Sequence, residues 1–178
     1  MLTFARVRAI TIVAALFVAA VVSVSIALDR DADQADAQGT CPPGAVPVDL
    51  TLPAERDITI NVYNATDEVG LANQIGDDFA NRQFQVLERG DHDEPFDGVA
   101  QLRFGPAAVA AAHVVGAYFL NQATLEFDVA REDNAVDVIL GSEFRRLATP
   151  TEVNQAIAAL AQAGQPTAPP GTCPVPDR

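Results

Sequence analysis

Residues 57–72 decide the fold, because the spacing of their apolar residues changes from that of a strand to that of a helix across one short turn. The stretch is Asp57-Ile58-Thr59-Ile60-Asn61-Val62-Tyr63-Asn64-Ala65-Thr66-Asp67-Glu68-Val69-Gly70-Leu71-Ala72. In its first half, Ile58, Ile60 and Val62 alternate with polar neighbours, which is the period of a strand with one buried face. The first half is therefore predicted to be a strand of a sheet.

The second half predicts a helix that ends near Asn81. Thr66 is a suitable N-cap, and Asp67 and Glu68 suit the positive end of the helix dipole. The apolar residues at helical spacing are Leu71, Ala72, Ile75 and Phe79. Because they form one stripe, the helix is expected to pack against the sheet.

The rest of the chain continues this alternation of strands and helices. Further strands are predicted at residues 48–52, 84–87, 100–104, 123–129 and 135–140. Pro106 begins a second helix, and residues 107–120 are apolar on nearly every side, so this helix should be the most buried. The last helix has a capping box at Thr149 and Glu152 and stops at Gly164. The order βαββαββα after one N-terminal strand predicts a two-layer α/β sandwich over a mixed β-sheet.

A charge-free apolar run near the N-terminus predicts a transmembrane helix. Residues 9–28 carry no charged side chain, and at about 1.5 Å per residue a helix of that length spans the ~30 Å hydrocarbon core. Arg6 and Arg8 precede the run and acidic residues follow it, so the positive-inside rule predicts that residues 1–8 are cytoplasmic and the rest extracytoplasmic. The alternative is a cleaved signal peptide with the small residues Ser25 and Ala27 at the cleavage site, which would yield a secreted soluble binding protein.

The charge balance excludes several classes of function. The chain has 178 residues, with 11 Lys+Arg, 24 Asp+Glu and a formal net charge of −13. Beyond residue 28 there are 9 basic and 24 acidic side chains, a balance of −15, which disfavours nucleic acid as a partner. The chain contains neither Lys nor Trp, which excludes Schiff-base chemistry and a P-loop lysine. No cofactor is expected.

Two cysteines bracket most of the region beyond the apolar run. In an oxidising exterior, Cys41 and Cys173 are predicted to form a disulfide, with two free thiols as the alternative. Neither has a second cysteine or a histidine at metal-ligand spacing, so no metal site is expected there. Residues 29–46 are predicted to be a stalk, residues 47–163 one folded domain, and residues 164–178 a Pro-rich tail that brings Cys173 back to Cys41.

Three segments resemble the LytR C-terminal domain family. Residues 60–72 resemble its first strand, Asn-Gly-Thr turn and Gly-Leu-Ala helix start, although Ala65 and Asp67 stand where Gly is common. Residues 102–106, Leu-Arg-Phe-Gly-Pro, resemble the central strand that leads into the second helix. Residues 138–144, Val-Ile-Leu-Gly-Ser-Glu-Phe, resemble the closing strand, which typically ends Leu-Gly-x-Asp-Phe. The resemblance covers residues 57–146, about half of the chain.

With the predicted anchor and the terminal cysteines, the chain is similar to actinobacterial members of that family that support envelope integrity. The resemblance implies a non-enzymatic scaffold that binds envelope or wall-assembly proteins or wall glycan. In the family this domain often follows a LytR-CpsA-Psr phosphotransferase domain, for which the remaining residues leave no room. LytR-CpsA-Psr enzymes and related LytR C-terminal domain proteins are therefore the implied partners.

The turn of residues 64–70 is the candidate binding site. A strand that leads into a helix N-terminus offers backbone N–H groups that can hold a carboxylate, a phosphate or a sugar hydroxyl. The predicted contact residues are Asn64, Thr66, Asp67 and Gly70. The alternative is that Thr66 and Asp67 satisfy those N–H groups themselves.

The competing functional hypothesis is an exported enzyme or a metal-dependent module centred on the loop Asp91-His92-Asp93-Glu94. It requires His113, from the apolar helix, to meet His92 in one pocket. The simpler interpretations are a solvated loop and a core histidine. Ser142 lacks the Gly-x-Ser-x-Gly context of a hydrolase nucleophile.

Two tripeptides match short functional motifs but have a simpler interpretation. Arg89-Gly90-Asp91 matches an adhesion motif, and Asn64-Ala65-Thr66 matches a glycosylation acceptor. Both are interpreted as turn chemistry.

Overall fold

The structure of the protein is a computed structural model that describes residues 41–175. The predicted cytoplasmic residues 1–8, the transmembrane helix at 9–28 and residues 29–40 of the stalk lie outside the described residues. Within residues 41–175, none of the helices is both long enough and apolar enough to cross a membrane.

The described residues form seven strands and three α-helices. The strands are β1 (Val46–Val48), β2 (Thr59–Asn64), β3 (Gln85–Asp91), β4 (Ala100–Phe104), β5 (Thr124–Phe127), β6 (Ala135–Leu140) and β7 (Thr172–Pro174). The helices are α1 (Leu71–Asn81), α2 (Val109–Ala117) and α3 (Pro150–Gln162), with short 3-10 turns at Glu55–Asp57 and Pro106–Ala108. From β2 onward the order βαββαββα is as predicted.

Five strands form one mixed sheet in the order β3-β2-β6-β4-β5. β3, β2 and β6 run parallel, β4 is antiparallel to β6, and β5 is parallel to β4. The carboxyl ends of β2, β3 and β6 therefore meet at one end of the sheet, where β4 begins.

The helices cover one face of this sheet. Ile60 and Val62 of β2 and Leu102 of β4 are fully buried, and they share one core with Phe79 of α1 and with residues of α2 and α3. The intervening residues of the same strands point to the opposite face and are polar, as their alternating burial shows. The predicted two-layer arrangement over a mixed sheet is therefore observed.

The helical predictions are confirmed in outline, but the start of α1 is not. α2 is buried along most of its length, and α3 has the predicted capping box between Thr149 and Glu152. α1, however, begins at Leu71 after Gly70, whose φ is 83°. Thr66 is therefore not the N-cap of α1. The Thr66 hydroxyl instead forms hydrogen bonds with Asn64 and Glu68 in the preceding turn.

Strand β3 is longer than predicted and carries a bulge. Leu87 is the extra residue between Val86, which pairs with Ile60, and Glu88, which pairs with Asn61, and its side chain is 67% exposed. β3 continues to Asp91, because its parallel pairing with β2 extends to the end of that strand. The interpretation of Arg89-Gly90-Asp91 as turn chemistry is therefore wrong, because these residues belong to β3.

The two chain ends of the described region form a second, two-stranded sheet. β1 pairs with β7 in parallel, and a disulfide joins Cys41 to Cys173 with a Cα–Cα distance of 5.7 Å. The strand predicted at residues 48–52 is thus misplaced, since Leu50 and Leu52 follow β1 and pack against the core instead. We call β1, β7 and this disulfide the clasp. β1 contacts the turn Pro106–Ala108, which follows the carboxyl end of β4, so the clasp lies at the end of the sheet opposite the carboxyl ends of β2 and β6.

Candidate functional site

A cleft of about 340 Å³ lies at the carboxyl ends of the parallel strands. It is lined by Ala65, Thr66, Asp67, His92, Asp93, Pro95, Phe96, Asp97 and Ser142. These residues come from the turn after β2, the loop after β3 and the segment after β6. In open α/β sheets this end of the strands is where ligands commonly bind. The structure therefore brings together three segments that the sequence presented separately.

The turn of residues 64–70 uses its polar side chains to hold its own backbone. The Asn64 amide donates to the carbonyl of Glu68 at 2.8 Å, and its oxygen accepts from the Thr66 hydroxyl at 2.7 Å. The Thr66 hydroxyl in turn accepts from the Glu68 N–H at 3.1 Å. Asn64 is only 4% exposed, so it forms the turn and is closed to glycosylation.

The second half of this turn, residues 67–70, faces solvent. Asp67 and Gly70 are exposed, and Val69 is 99% exposed at the tip. Of the predicted contact residues, Asn64 and Thr66 therefore maintain the geometry, while Asp67 lines the cleft. The carboxylates of Asp67 and Glu68 precede the first turn of α1, which disfavours an anionic ligand there.

The acidic loop after β3 is fixed at both ends rather than freely solvated. Its His92 N–H donates to the Asn64 carbonyl at 2.8 Å, and the Phe96 N–H donates to the Ala65 carbonyl at 3.4 Å. On its other side, the Phe96 carbonyl accepts from the Ser142 N–H at 2.9 Å. The loop is therefore a wall of the cleft.

Gly141 is required where this loop meets the segment after β6. A Cβ atom at position 141 would lie 2.6 Å from Cδ1 and 2.7 Å from the carbonyl oxygen of Phe96, and would also collide with the carbonyl oxygen of Gly98. Only glycine allows this approach. The glycine of the Leu-Gly-x-Asp-Phe pattern thus has a packing role in this chain.

The polar groups in the cleft do not form a catalytic set. The Ser142 hydroxyl lies 3.4 Å from a carboxylate oxygen of Asp97, whereas Nδ1 of His92 lies 2.8 Å from the carbonyl oxygen of Glu94. A serine nucleophile needs a base that accepts its proton and is itself oriented by a third group. His92 instead contacts its own loop.

The two histidines lie apart, contrary to the requirement of the enzyme hypothesis. His113 of α2 lines a different cavity, of about 300 Å³, with Leu125 and Leu160. Its half-buried position lowers its pKa, because burial penalises the charged imidazolium. Within residues 41–175, no group of three or more His, Cys, Asp or Glu side chains is arranged to hold a metal ion. The metal-dependent hypothesis therefore lacks its polar centre.

A second groove, of about 420 Å³, lies beside the acidic loop, and its lining includes Tyr63, His92, Asp93, Arg103 and Asp137. The Tyr63 hydroxyl donates to Glu88 at 2.9 Å. Partial burial, with this bond and the nearby carboxylates, raises the pKa of Tyr63 to about 12. The groove is continuous with the polar face of the sheet.

An ion pair beside this groove was missed from the sequence. Arg131 binds the carboxylate of Asp137 through two nitrogens, at 2.7 and 3.0 Å, and Asn61 donates to the same carboxylate at 2.8 Å. The bonds to Asp137 are the main reason why the pKa of Arg131 is raised. The signal available in the sequence was a single acid within the otherwise apolar segment 135–140.

Comparison with known proteins identifies the family of this region. Residues 57–144, about half of the chain, match the family model of the LytR C-terminal domain, described as the LytR cell envelope-related transcriptional attenuator. A search of curated proteins gave no significant match. Among solved structures, the chain is similar to the soluble domain of a conserved hypothetical secreted protein from Mycobacterium marinum, with a TM-score of 0.50 and 22% identity over 68% of this chain and 97% of that chain. At this identity, the likeness supports the fold.

Proposed function

Residues 57–144 form a domain of the LytR C-terminal family, and from this we propose that the chain is a membrane-anchored, extracytoplasmic scaffold of the cell envelope. In this proposal residues 9–28 hold the chain in the membrane and the described domain lies outside. The secreted character of the similar Mycobacterium marinum protein and the disulfide between Cys41 and Cys173 support the location, because disulfides persist in oxidising compartments.

In this proposal the cleft at the carboxyl ends of the strands is the docking site. The presence of this cleft is the main observation that supports a scaffold function. Its walls are the family-matching turn after β2 and the closing segment after β6, held together by the acidic loop. Asp67 lines the cleft, and Val69, two residues further along the same turn, is 99% exposed. A partner in the cleft can therefore also contact Val69 without any change in the turn.

The charges of the cleft restrict the partner. Asp67, Asp93 and Asp97 line it, and among its lining residues there is no Arg to offset them. Like charges repel a polyanion at such a site. We therefore expect a protein surface or an uncharged wall glycan. Among proteins, wall-assembly enzymes such as LytR-CpsA-Psr transferases and related LytR C-terminal domain proteins are the first candidates.

The arrangement of polar groups favours binding over catalysis. Ser142 contacts Asp97, and His92 contacts the backbone of its own loop, so neither is paired as a nucleophile and its base. The scaffold hypothesis accounts for the cleft without a reacting group.

Site-specific photocrosslinking in growing cells tests the docking site. A photoreactive residue at Val69 of the full-length chain is expected to capture an envelope protein or wall glycan, identified by mass spectrometry. The matched control is Arg56, which is also exposed but precedes β2 at the other end of the sheet. Equal capture at both positions, or capture of no envelope component at Val69, would contradict the proposed site.

A reporter fusion tests the location independently. Alkaline phosphatase fused after Arg178 is expected to be active, because this enzyme needs the oxidising exterior. Membrane fractions should retain the fusion after a high-salt wash if residues 9–28 span the bilayer. An inactive fusion would refute the extracytoplasmic location, and recovery in the culture medium would refute the anchor.

A further inference from the structure

The two edges of the sheet are protected to different degrees. β3, at one edge, carries the bulge at Leu87 and the charged residues Glu88, Arg89 and Asp91, which are devices that prevent an edge from pairing with another strand. β5, at the other edge, pairs regularly with β4 over Gln101–Phe104. No other strand of the described residues lies against the outer side of β5.

Exposed apolar side chains accompany the β5 edge, whose pairing with β4 has no bulge. Leu125 in the middle of β5 is 44% exposed, and Val129 just beyond it is 48% exposed. Leu125 also borders the cavity that contains His113 and Leu160. Exposed apolar surface next to free backbone N–H and C=O groups is typical of a pairing site.

The sequence around β5 is complementary to itself in the antiparallel sense. Residues 122–128 read Gln122-Ala123-Thr124-Leu125-Glu126-Phe127-Asp128. If the segment is placed opposite a second, antiparallel copy of itself centred on Leu125, each side-chain hydrogen-bond donor lies opposite a carboxylate and each apolar residue lies opposite an apolar residue. The pairs are Gln122 with Asp128, Ala123 with Phe127, Thr124 with Glu126, and Leu125 with itself.

We propose that two copies of this chain associate through antiparallel pairing of their β5 strands, with Leu125 opposite Leu125 of the second copy. This register places Thr124 opposite Glu126 of the second copy, a pair that can form a hydrogen bond. Centring the pairing on Glu126 instead would place Glu126 opposite Glu126, and like charges directly opposite each other are destabilising. The charge pattern therefore disfavours that neighbouring register.

The negative charge nearest the proposed interface is partly offset within each copy. Glu126 already accepts hydrogen bonds from Gln101 at 2.8 Å and pairs with Arg103 at 3.1 Å, so its charge is partly offset at the interface.

Cysteine crosslinking of the full-length chain in its membrane tests the proposal. The native cysteines are joined to each other, so Leu125→Cys supplies the single free thiol. Mild oxidation is expected to give a product of twice the chain mass at least tenfold faster than with Leu87→Cys, the control on the protected edge, where the side chain is more exposed. Equal rates, or a product whose mass requires a different protein, would overturn the proposal.

A mixed experiment tests the register. Chains carrying Thr124→Cys and chains carrying Glu126→Cys, tagged differently and expressed together, are expected to form mixed dimers at least fivefold faster than either forms dimers with itself. Equal rates of mixed and self crosslinking would overturn the antiparallel pairing.

Sedimentation of the purified full-length protein in detergent provides a measurement without cysteine variants. The wild type is expected to sediment as a dimer at micromolar concentration, and Leu125→Arg is expected to weaken the dimer at least tenfold. Circular dichroism checks that this variant remains folded. A wild type that stays monomeric at 100 µM in 0.15 M salt would overturn the proposal.

Discussion

The packing of Gly141 predicts that a single added methyl group weakens the fold substantially. In Gly141→Ala, the new Cβ would collide with the backbone carbonyls of Phe96 and Gly98, which no change of rotamer can relieve. Moving these carbonyls away lengthens their hydrogen bonds from the N–H groups of Ser142 and Glu143, now 2.9 and 3.0 Å.

The expected loss follows from these contacts. Overpacking costs about 1–3 kcal/mol, and each weakened backbone hydrogen bond costs about 0.5–1.5 kcal/mol. Since relaxation recovers part of the sum, we expect the free energy of unfolding to fall by about 2–4 kcal/mol. For a chain of this size that corresponds to a decrease in Tm on the order of 10 °C. Urea unfolding of the full-length protein, followed by circular dichroism, measures it.

Two other glycines provide matched controls for the same substitution. A Cβ at Gly116, inside α2, would meet only Cδ1 of Leu102 at 3.7 Å, and alanine in a helix is favoured over glycine by about 0.5–1 kcal/mol. Gly116→Ala should therefore stabilise the protein. Gly98→Ala should lie between the two, because its Cβ would meet the ring of Phe96, which can rotate. If Gly141→Ala is no more destabilising than Gly98→Ala, the steric argument is refuted.

Three further predictions concern charge and the clasp. Asp137→Asn should lower the free energy of unfolding by about 2–3 kcal/mol, because a half-buried charge-assisted pair with Arg131 is lost. Glu126→Gln should change it by less than about 1 kcal/mol, since the pair of Glu126 with Arg103 is exposed. Equal losses in urea unfolding would contradict this difference. Reducing the disulfide between Cys41 and Cys173 should cost about 2–5 kcal/mol, because it closes a long loop, and an unchanged Tm in reductant would be the contrary result. The pKa of Glu152 is lowered well below its usual 4.5, so the Glu152 carboxylate stabilises the fold fully above pH 4.5 and progressively less as the pH falls below it. The difference in free energy of unfolding between wild type and Glu152→Gln should therefore shrink below pH 4.5. A difference that stays constant from pH 7 to pH 3 would refute this prediction.

The sequence predicted those strands and helices whose signal lies within the element itself or directly beside it. β6 matches the predicted segment 135–140, and α3 has the capping box that Thr149 and Glu152 indicated. In both, the signal lies within a few residues of the element it determines. That is why the order of strands and helices from β2 onward could be predicted.

The start of α1 shows where local reasoning fails. Thr66 is a good N-cap by residue type, but Asn64 lies two residues earlier and can accept from the same hydroxyl. The competition is decided by burial of Asn64 at the end of β2, where its carbonyl also accepts from the His92 N–H. The sequence around the turn does not reveal that tertiary contact, so the helix appeared to begin earlier than it does.

The convergence of the site depends on strand order, which local patterns do not specify. Loop residues 92–97 come next to the turn after β2 because β3 pairs in parallel with β2, and Ser142 comes next to both because β6 pairs with β2 on its other side. The Arg131–Asp137 ion pair likewise could not be predicted from local patterns, because they do not specify which face of the sheet the helices leave uncovered. These contacts join residues far apart in the chain.

The family-matching residues build the frame of the cleft more than its contact surface. Asn64 and Thr66 are engaged in the turn, and Gly141 is required by the close approach of the Phe96 loop. A chain can therefore keep these residues and the fold while the exposed residues of the turn, Asp67 and Val69, change with the partner. It follows that exchanging Asp67 and Val69 should alter which partner is captured without lowering the free energy of unfolding. Exchanging Asn64, Thr66 or Gly141 should instead lower both the free energy of unfolding and the amount of partner captured.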